Sequence, residues 1–156
     1  MRRHAAGFSV IALCAGVSML IAAAGAGDDA VKKDFDAFKG AWTVVSAEKN
    51  GKKYSADMLE GIIVKCDGSN KVAVRKGDKV LFAGTMKIDP TKKLKTIDTT
   101  QDSDGDLKGK TFPGIYEITG DTFKICTAEP GKERPTEFSA KEGSGYFYRV
   151  YKREKN

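Results

Sequence analysis

Residues 115–140 read IYEITGDTFKICTAEPGKERPTEFSA, and this stretch decides the fold class. Two short runs of β-branched and aromatic residues flank Gly120-Asp121, a pair suited to the unusual backbone angles of a tight hairpin turn. The second run stops at a loop that holds Pro130, Gly131 and Pro135. The segment is therefore strand, turn, strand, loop. It contains no histidine, no metal-ligand spacing and no phosphate-cradling loop.

The same grammar runs outward from this hairpin. From Ala41 onward the hydrophobic period is two and turn signals arrive about every ten residues, the pattern of an antiparallel sandwich or barrel. Strands are expected over residues 41–49, 61–66, 71–76, 79–88, 95–101, 111–118, 122–127 and 145–153. Asp67-Gly68-Ser69-Asn70, Gly77-Asp78 and Asp89-Pro90-Thr91 supply the connections. Between the first two strands, Asn50-Gly51-Lys52-Lys53 precedes a stretch in which Ser55 is placed to cap one helical turn over a barrel mouth. Upstream, Val31, Phe35 and Phe38 recur at spacings of four and three, which predicts a short amphipathic helix over residues 28–39, ended by Gly40.

Alternation assigns the inner face to Trp42 and Val44; Ile62 and Val64; Val72 and Val74; Val80, Phe82, Met86 and Ile88; Ile97; Phe112, Tyr116 and Ile118; Phe123 and Ile125; and Tyr148 and Val150. Their neighbours, among them Lys65, Arg75, Lys87, Asp98, Glu117 and Lys124, are charged. One apolar and one wet face per strand predicts an all-β, eight-stranded antiparallel up-and-down barrel with a short N-terminal helix. Such a barrel is either filled or holds one small ligand.

The N-terminus has a different composition. Met1-Arg2-Arg3-His4 is a basic head, and residues 8–24 form an uncharged apolar run that ends in small residues, the order of a secretory signal peptide. Ala24-Gly25-Ala26 fits the small-residue rule for cleavage, with Ala22-Ala23-Ala24 as a second choice. The expected organisation is a signal peptide over residues 1–26 and a barrel domain over 27–156, periplasmic or secreted, with no membrane span after cleavage. An uncleaved anchor is the rival reading. Without the first 26 residues the formal charge falls from +6 to +4, because only Arg2 and Arg3 leave. So small and mixed a charge is a solvated surface rather than a nucleic-acid footprint. The only histidine, His4, leaves as well. That removes Ser-His-Asp and Cys-His catalysis, His-ligated zinc and histidine pH switching.

Phe38-Lys39-Gly40-Ala41-Trp42 places a helix and then Gly-x-Trp at the start of the first strand, which resembles the opening signature of lipocalin-type barrels. In that superfamily a basic residue of the last strand packs over the tryptophan, a place that Arg149 or Arg153 matches here. The pieces GAWTVVSAE with NGKK, GTMKIDPTKKLKTID, GKTFPGIYEI with GDTFKIC, and PGKERPTEFSA together resemble an uncharacterised lipocalin-like secreted domain family of planctomycetes. The resemblance spans residues 38–153. It implies fold and compartment and names no activity, and fold alone does not give function.

Several local features have bland readings. Cys66 and Cys126 fall on the second and seventh strands with opposite facing, whereas a disulfide needs Cα atoms within about 7 Å, so two separate thiols are expected, Cys126 on the outer face. Asp102-Ser103-Asp104-Gly105-Asp106 suggests calcium, but Leu107 and Pro113 stand where an EF-hand needs Gly and Glu, which leaves a solvated acidic loop. Residues 129–138 mix Glu133, Glu137, Lys132 and Arg134 around two prolines, either as an anion or partner contact at a barrel end or as a rigid connector; the connector is favoured. Aromatics alternating with basic residues over 146–153 read as barrel wall rather than as a nucleic-acid platform.

The leading expectation is a binding module for a small apolar or amphipathic ligand, lined by Val80, Phe82, Met86, Tyr116, Phe123 and Tyr148, with the tyrosine hydroxyls as polar handles. Gly40, Trp42, Arg149 and Arg153 are the structural signature. The alternative is a filled barrel that serves as a cell-envelope interaction module, with a protein partner on its outer face. No cofactor, metal or enzymatic activity is expected; catalysis without histidine would need an inward carboxylate pair, a lysine or a thiolate. Interior volume discriminates between the first two.

Overall fold

The computed structural model describes residues 22–155. Most of the expected leader, with His4 and Cys14, lies outside them. Helix α1 (Ala22–Phe38) is followed by β1 (Gly40–Lys49), β2 (Lys52–Lys53), α2 (Ala56–Leu59), β3 (Ile62–Cys66), β4 (Lys71–Lys76), β5 (Lys79–Asp89), β6 (Thr96–Gln101), β7 (Thr111–Thr119), β8 (Thr122–Ala128) and β9 (Tyr146–Arg153). The helix begins six residues before the expected position 28 and ends one before 39.

β1 pairs with β3, each later strand pairs antiparallel with the next, and β9 returns to β1. This is the expected closed, eight-stranded up-and-down barrel. β2 is an addition, a two-residue ribbon on the end of β1 (Glu48 opposite Lys53, Lys49 opposite Lys52). The decisive hairpin is β7–β8, with Thr119 opposite Thr122 and Gly120 at φ 56° in the turn. That angle is cheap only for glycine and for a few polar residues.

One end of the barrel is closed by α1. Phe38, wholly buried, meets Tyr116 at 5.2 Å and Phe123 edge-on at 4.9 Å between ring centroids. Trp42, also wholly buried, donates from Nε1 to the Phe38 carbonyl at 2.8 Å. The Arg153 guanidinium lies 4.1 Å from the Trp42 ring centroid and donates from Nη1 to Lys39 O (2.7 Å) and from Nη2 to Ala37 O (2.8 Å). A cation is well placed at the negative end of a helix, whose last carbonyls lack helical partners. Of the two arginines that matched the signature, Arg153 is the one over the tryptophan. Gly40 allows this approach: at φ 122° a side chain would be strained, and a Cβ there would sit 3.2 Å from Arg153 Nη1.

Two strand faces differ from expectation. Val74 pairs with Phe82 while Arg75 pairs with Val80, so Leu81 is an extra residue and the alternation breaks there. Val80 is left 42 % exposed instead of pointing inward. On β9 the inner face belongs to Phe147, Arg149, Tyr151 and Arg153, and Tyr148 and Val150 point out. Ser55 occupies the N-cap of α2 without a side-chain hydrogen bond. The free energy of the closed end is testable. Arg153→Met, which keeps the aliphatic stem but leaves two carbonyls unpaired, should lower stability by about 2 kcal/mol in urea unfolding; an unchanged midpoint would contradict the clamp.

Candidate ligand site

Above the aromatic layer the barrel is not filled. A cavity of about 400 Å³ runs from Phe123 and Tyr151, stacked at 4.9 Å, toward the end opposite α1. Its wall is apolar: Val44, Val64, Val72, Val74, Phe82, Met86, Phe112 and Ile125 contribute from six strands. Tyr54 and Phe147, stacked at 5.7 Å, and Leu59 of α2 stand toward the mouth. Met58, Leu81 and Leu107, at 54, 42 and 44 % exposure, complete the rim. The α2 segment lies over this mouth, as the sequence suggested, and the bulge brings Leu81 to it.

The expected site residues divide. Phe82, Met86 and Phe123 line the cavity. Val80 does not, for the reason given above. Tyr148 lies on the outer wall, where its ring meets Phe138 at 6.1 Å. Tyr116 is interior, but at the closed end: its hydroxyl donates to Asp34 Oδ2 at 2.7 Å, and Lys95 Nζ donates to the same oxygen at 2.8 Å. Burial, reinforced by the Asp34 carboxylate, pushes the Tyr116 hydroxyl far above its ordinary value. That hydroxyl holds the α1 plug and is no handle for a ligand. Arg149, expected only as part of the tryptophan signature, lines the cavity instead. Counting alternate positions back from Arg153 along β9 would have located it.

Arg149 is the one charged side chain among the residues lining the cavity. Its Nη2 donates to Thr127 Oγ1 at 2.8 Å, and its guanidinium lies 4.3 Å from the Phe147 ring centroid. Its Nε is buried without a hydrogen-bond partner, as is Thr99 Oγ1, also on the cavity wall. Among the described residues no carboxylate is paired with Arg149.

Both described cysteines are free and buried. Cys66 lines the cavity, where burial pushes its thiol up to about 12. Cys126 faces outward as expected but is not exposed: it lies beneath the loop between β8 and β9, with Sγ donating to Ser139 O at 3.3 Å. Ile115, Pro135 and Ala140 are buried with it, a second small core outside the barrel. Arg134 anchors this loop through Ile97 O (3.1 Å), Gly114 O (2.7 Å) and Asp98 Oδ1 (2.8 Å). The loop is thus bound to the outer wall of β6 and β7, a connector with its own packing. In the acidic loop Asp104 pairs with Lys108 at 2.7 Å, and among the described residues no cluster of three or more ligating side chains could hold a metal ion. No helix there is long and apolar enough to cross a membrane.

Burial of Cys66, Tyr116 and Tyr151 makes a pH prediction. All three resist ionisation more when folded than when unfolded. The Cys66 thiol ordinarily titrates near 9 and in the fold near 12. A raised pKa stabilises the fold fully below the unfolded value and loses that contribution as pH rises toward the folded one. The urea midpoint should therefore hold steady up to about pH 9 and fall between there and about pH 12; a midpoint that rises above pH 9 would contradict the burial of these groups. Comparisons with protein-family models, curated proteins and solved structures return no match, so the site is read from its geometry.

Proposed function

We propose that this chain is a periplasmic or secreted binding module that holds one small apolar or amphipathic molecule in its barrel. The observation that carries this reading is the cavity of about 400 Å³, within the size range of small-molecule sites, walled by aliphatic and aromatic side chains and reached through an exposed apolar rim. A filled barrel serving only as an envelope interaction module would leave no such space. The compartment rests on the basic head and apolar run of residues 1–26, in keeping with the resemblance to secreted lipocalin-like domains.

Binding rather than catalysis is supported by the lining. It includes no carboxylate, and its one thiol, Cys66, is held protonated by burial. Affinity would come mainly from removing apolar surface of ligand and wall from water.

Delipidated protein titrated with an uncharged, polarity-sensitive fluorophore tests the reading. Saturable one-to-one binding at micromolar concentration is expected, and Ile125→Trp, which fills the cavity from its wall, should reduce it at least tenfold. No saturable binding by the unsubstituted protein would count against the proposal.

A further inference from the structure

We infer that the ligand is an anionic amphiphile, its carboxylate received by Arg149 within the barrel. This rests on the reading of the cavity as a ligand site and adds the chemistry of what enters it. β9 presents two arginines to the inner face, four residues apart, and the fold treats them oppositely. Arg153 is fully engaged: Nη1 and Nη2 donate to Lys39 O and Ala37 O, and Nε lies 3.3 Å from Asp121 Oδ1. Arg149 has only neutral side-chain neighbours, the Thr127 hydroxyl and the Tyr151 phenol, and its Nε is buried and unpaired.

A guanidinium is always charged, and taking it from water into an apolar enclosure is costly unless an anion or several acceptors compensate it. Arg149 is half-buried with its Nε fully enclosed, the wall around it is mostly apolar, and no carboxylate of the described chain compensates it. The planar fork of donors matches a carboxylate in a two-point contact. Thr99, three strands round the barrel on β6, adds a second buried and unpartnered polar atom, its hydroxyl, to the same wall, a further polar contact for a headgroup. The rest of the lining is suited to a hydrocarbon chain. One cationic group in an apolar cavity selects against amines and favours acids over the matching alcohols.

Calorimetric titration of the delipidated full-length protein with decanoate, decanol, decylamine and acetate tests this. Decanoate should bind about ten- to a hundredfold more tightly than decanol, the worth of a charge-assisted contact, and decylamine most weakly. Acetate should not compete at matching concentrations, because each buried CH₂ contributes about fourfold in affinity; competition by acetate would make the site one for small anions and overturn the amphiphile. Arg149→Met should abolish the preference for decanoate over decanol, in a variant whose far-ultraviolet circular dichroism matches that of the unsubstituted protein. Equal binding of decanoate and decanol by the unsubstituted protein, or a preference that survives Arg149→Met, would overturn the anion assignment and leave the cavity reading intact. Failure of every alkyl probe and of the neutral fluorophore would overturn both.

Discussion

The structure depends on one guanidinium at the closed end of the barrel. Arg153 belongs to the last strand, stacks on Trp42 of the first, donates to the terminal carbonyls of α1 and lies beside Asp121 in the β7–β8 turn. The strands it joins, β1 and β9, are the pair whose hydrogen bonding turns an open sheet into a barrel. It also satisfies carbonyls that a helix ending against an apolar surface would otherwise leave without partners. Tying helix, first strand, last strand and hairpin through one planar, permanently charged group fixes where α1 sits, and α1 decides which end is shut.

From that constraint follows a division along the barrel axis. At the shut end the polar groups are paired: Trp42 Nε1 with Phe38 O, and Tyr116 and Lys95 with Asp34. Aromatic rings fill the space between them. Phe123 and Tyr151 form the floor where packing stops. Beyond it the wall stays mostly apolar, the side chains no longer meet across the interior, and Arg149 Nε and Thr99 Oγ1 are buried without partners. Buried polar groups are normally satisfied, and exceptions concentrate where a site awaits something else. Of two arginines on the same face of β9, the fold pairs all three nitrogens of one at the packed end and leaves Nε of the other without a partner beside the open space.

The barrel was legible in the sequence because its signals are local. Strands of period two and turns such as Gly120-Asp121 specify a closed meander without knowledge of distant contacts, and Phe82, Met86 and Phe123 followed directly from alternation. What failed was non-local. Tyr148 and Val150 look like inward residues because the outer wall of β9 is itself part-apolar, and it is so because residues 129–145 fold back over that side of the barrel, Phe138 against Tyr148. Covering the outer face erases the contrast on which alternation relies. Val80 failed through a bulge that shifts register by one residue, which no composition signal announces. Tyr116 was placed correctly inside but misread in role, because its partner Asp34 stands 82 residues away on a helix whose docking the strand pattern does not encode.

The central claim is that the barrel is packed at the α1 end and hollow at the other. Diffraction from a crystal pressurised with xenon measures this directly, since xenon enters apolar space large enough to hold it. The account predicts xenon among Val64, Val72, Phe82 and Ile125, and none between Phe38, Trp42 and Tyr116. A barrel that takes up no xenon, or takes it up only beneath α1, would contradict the account.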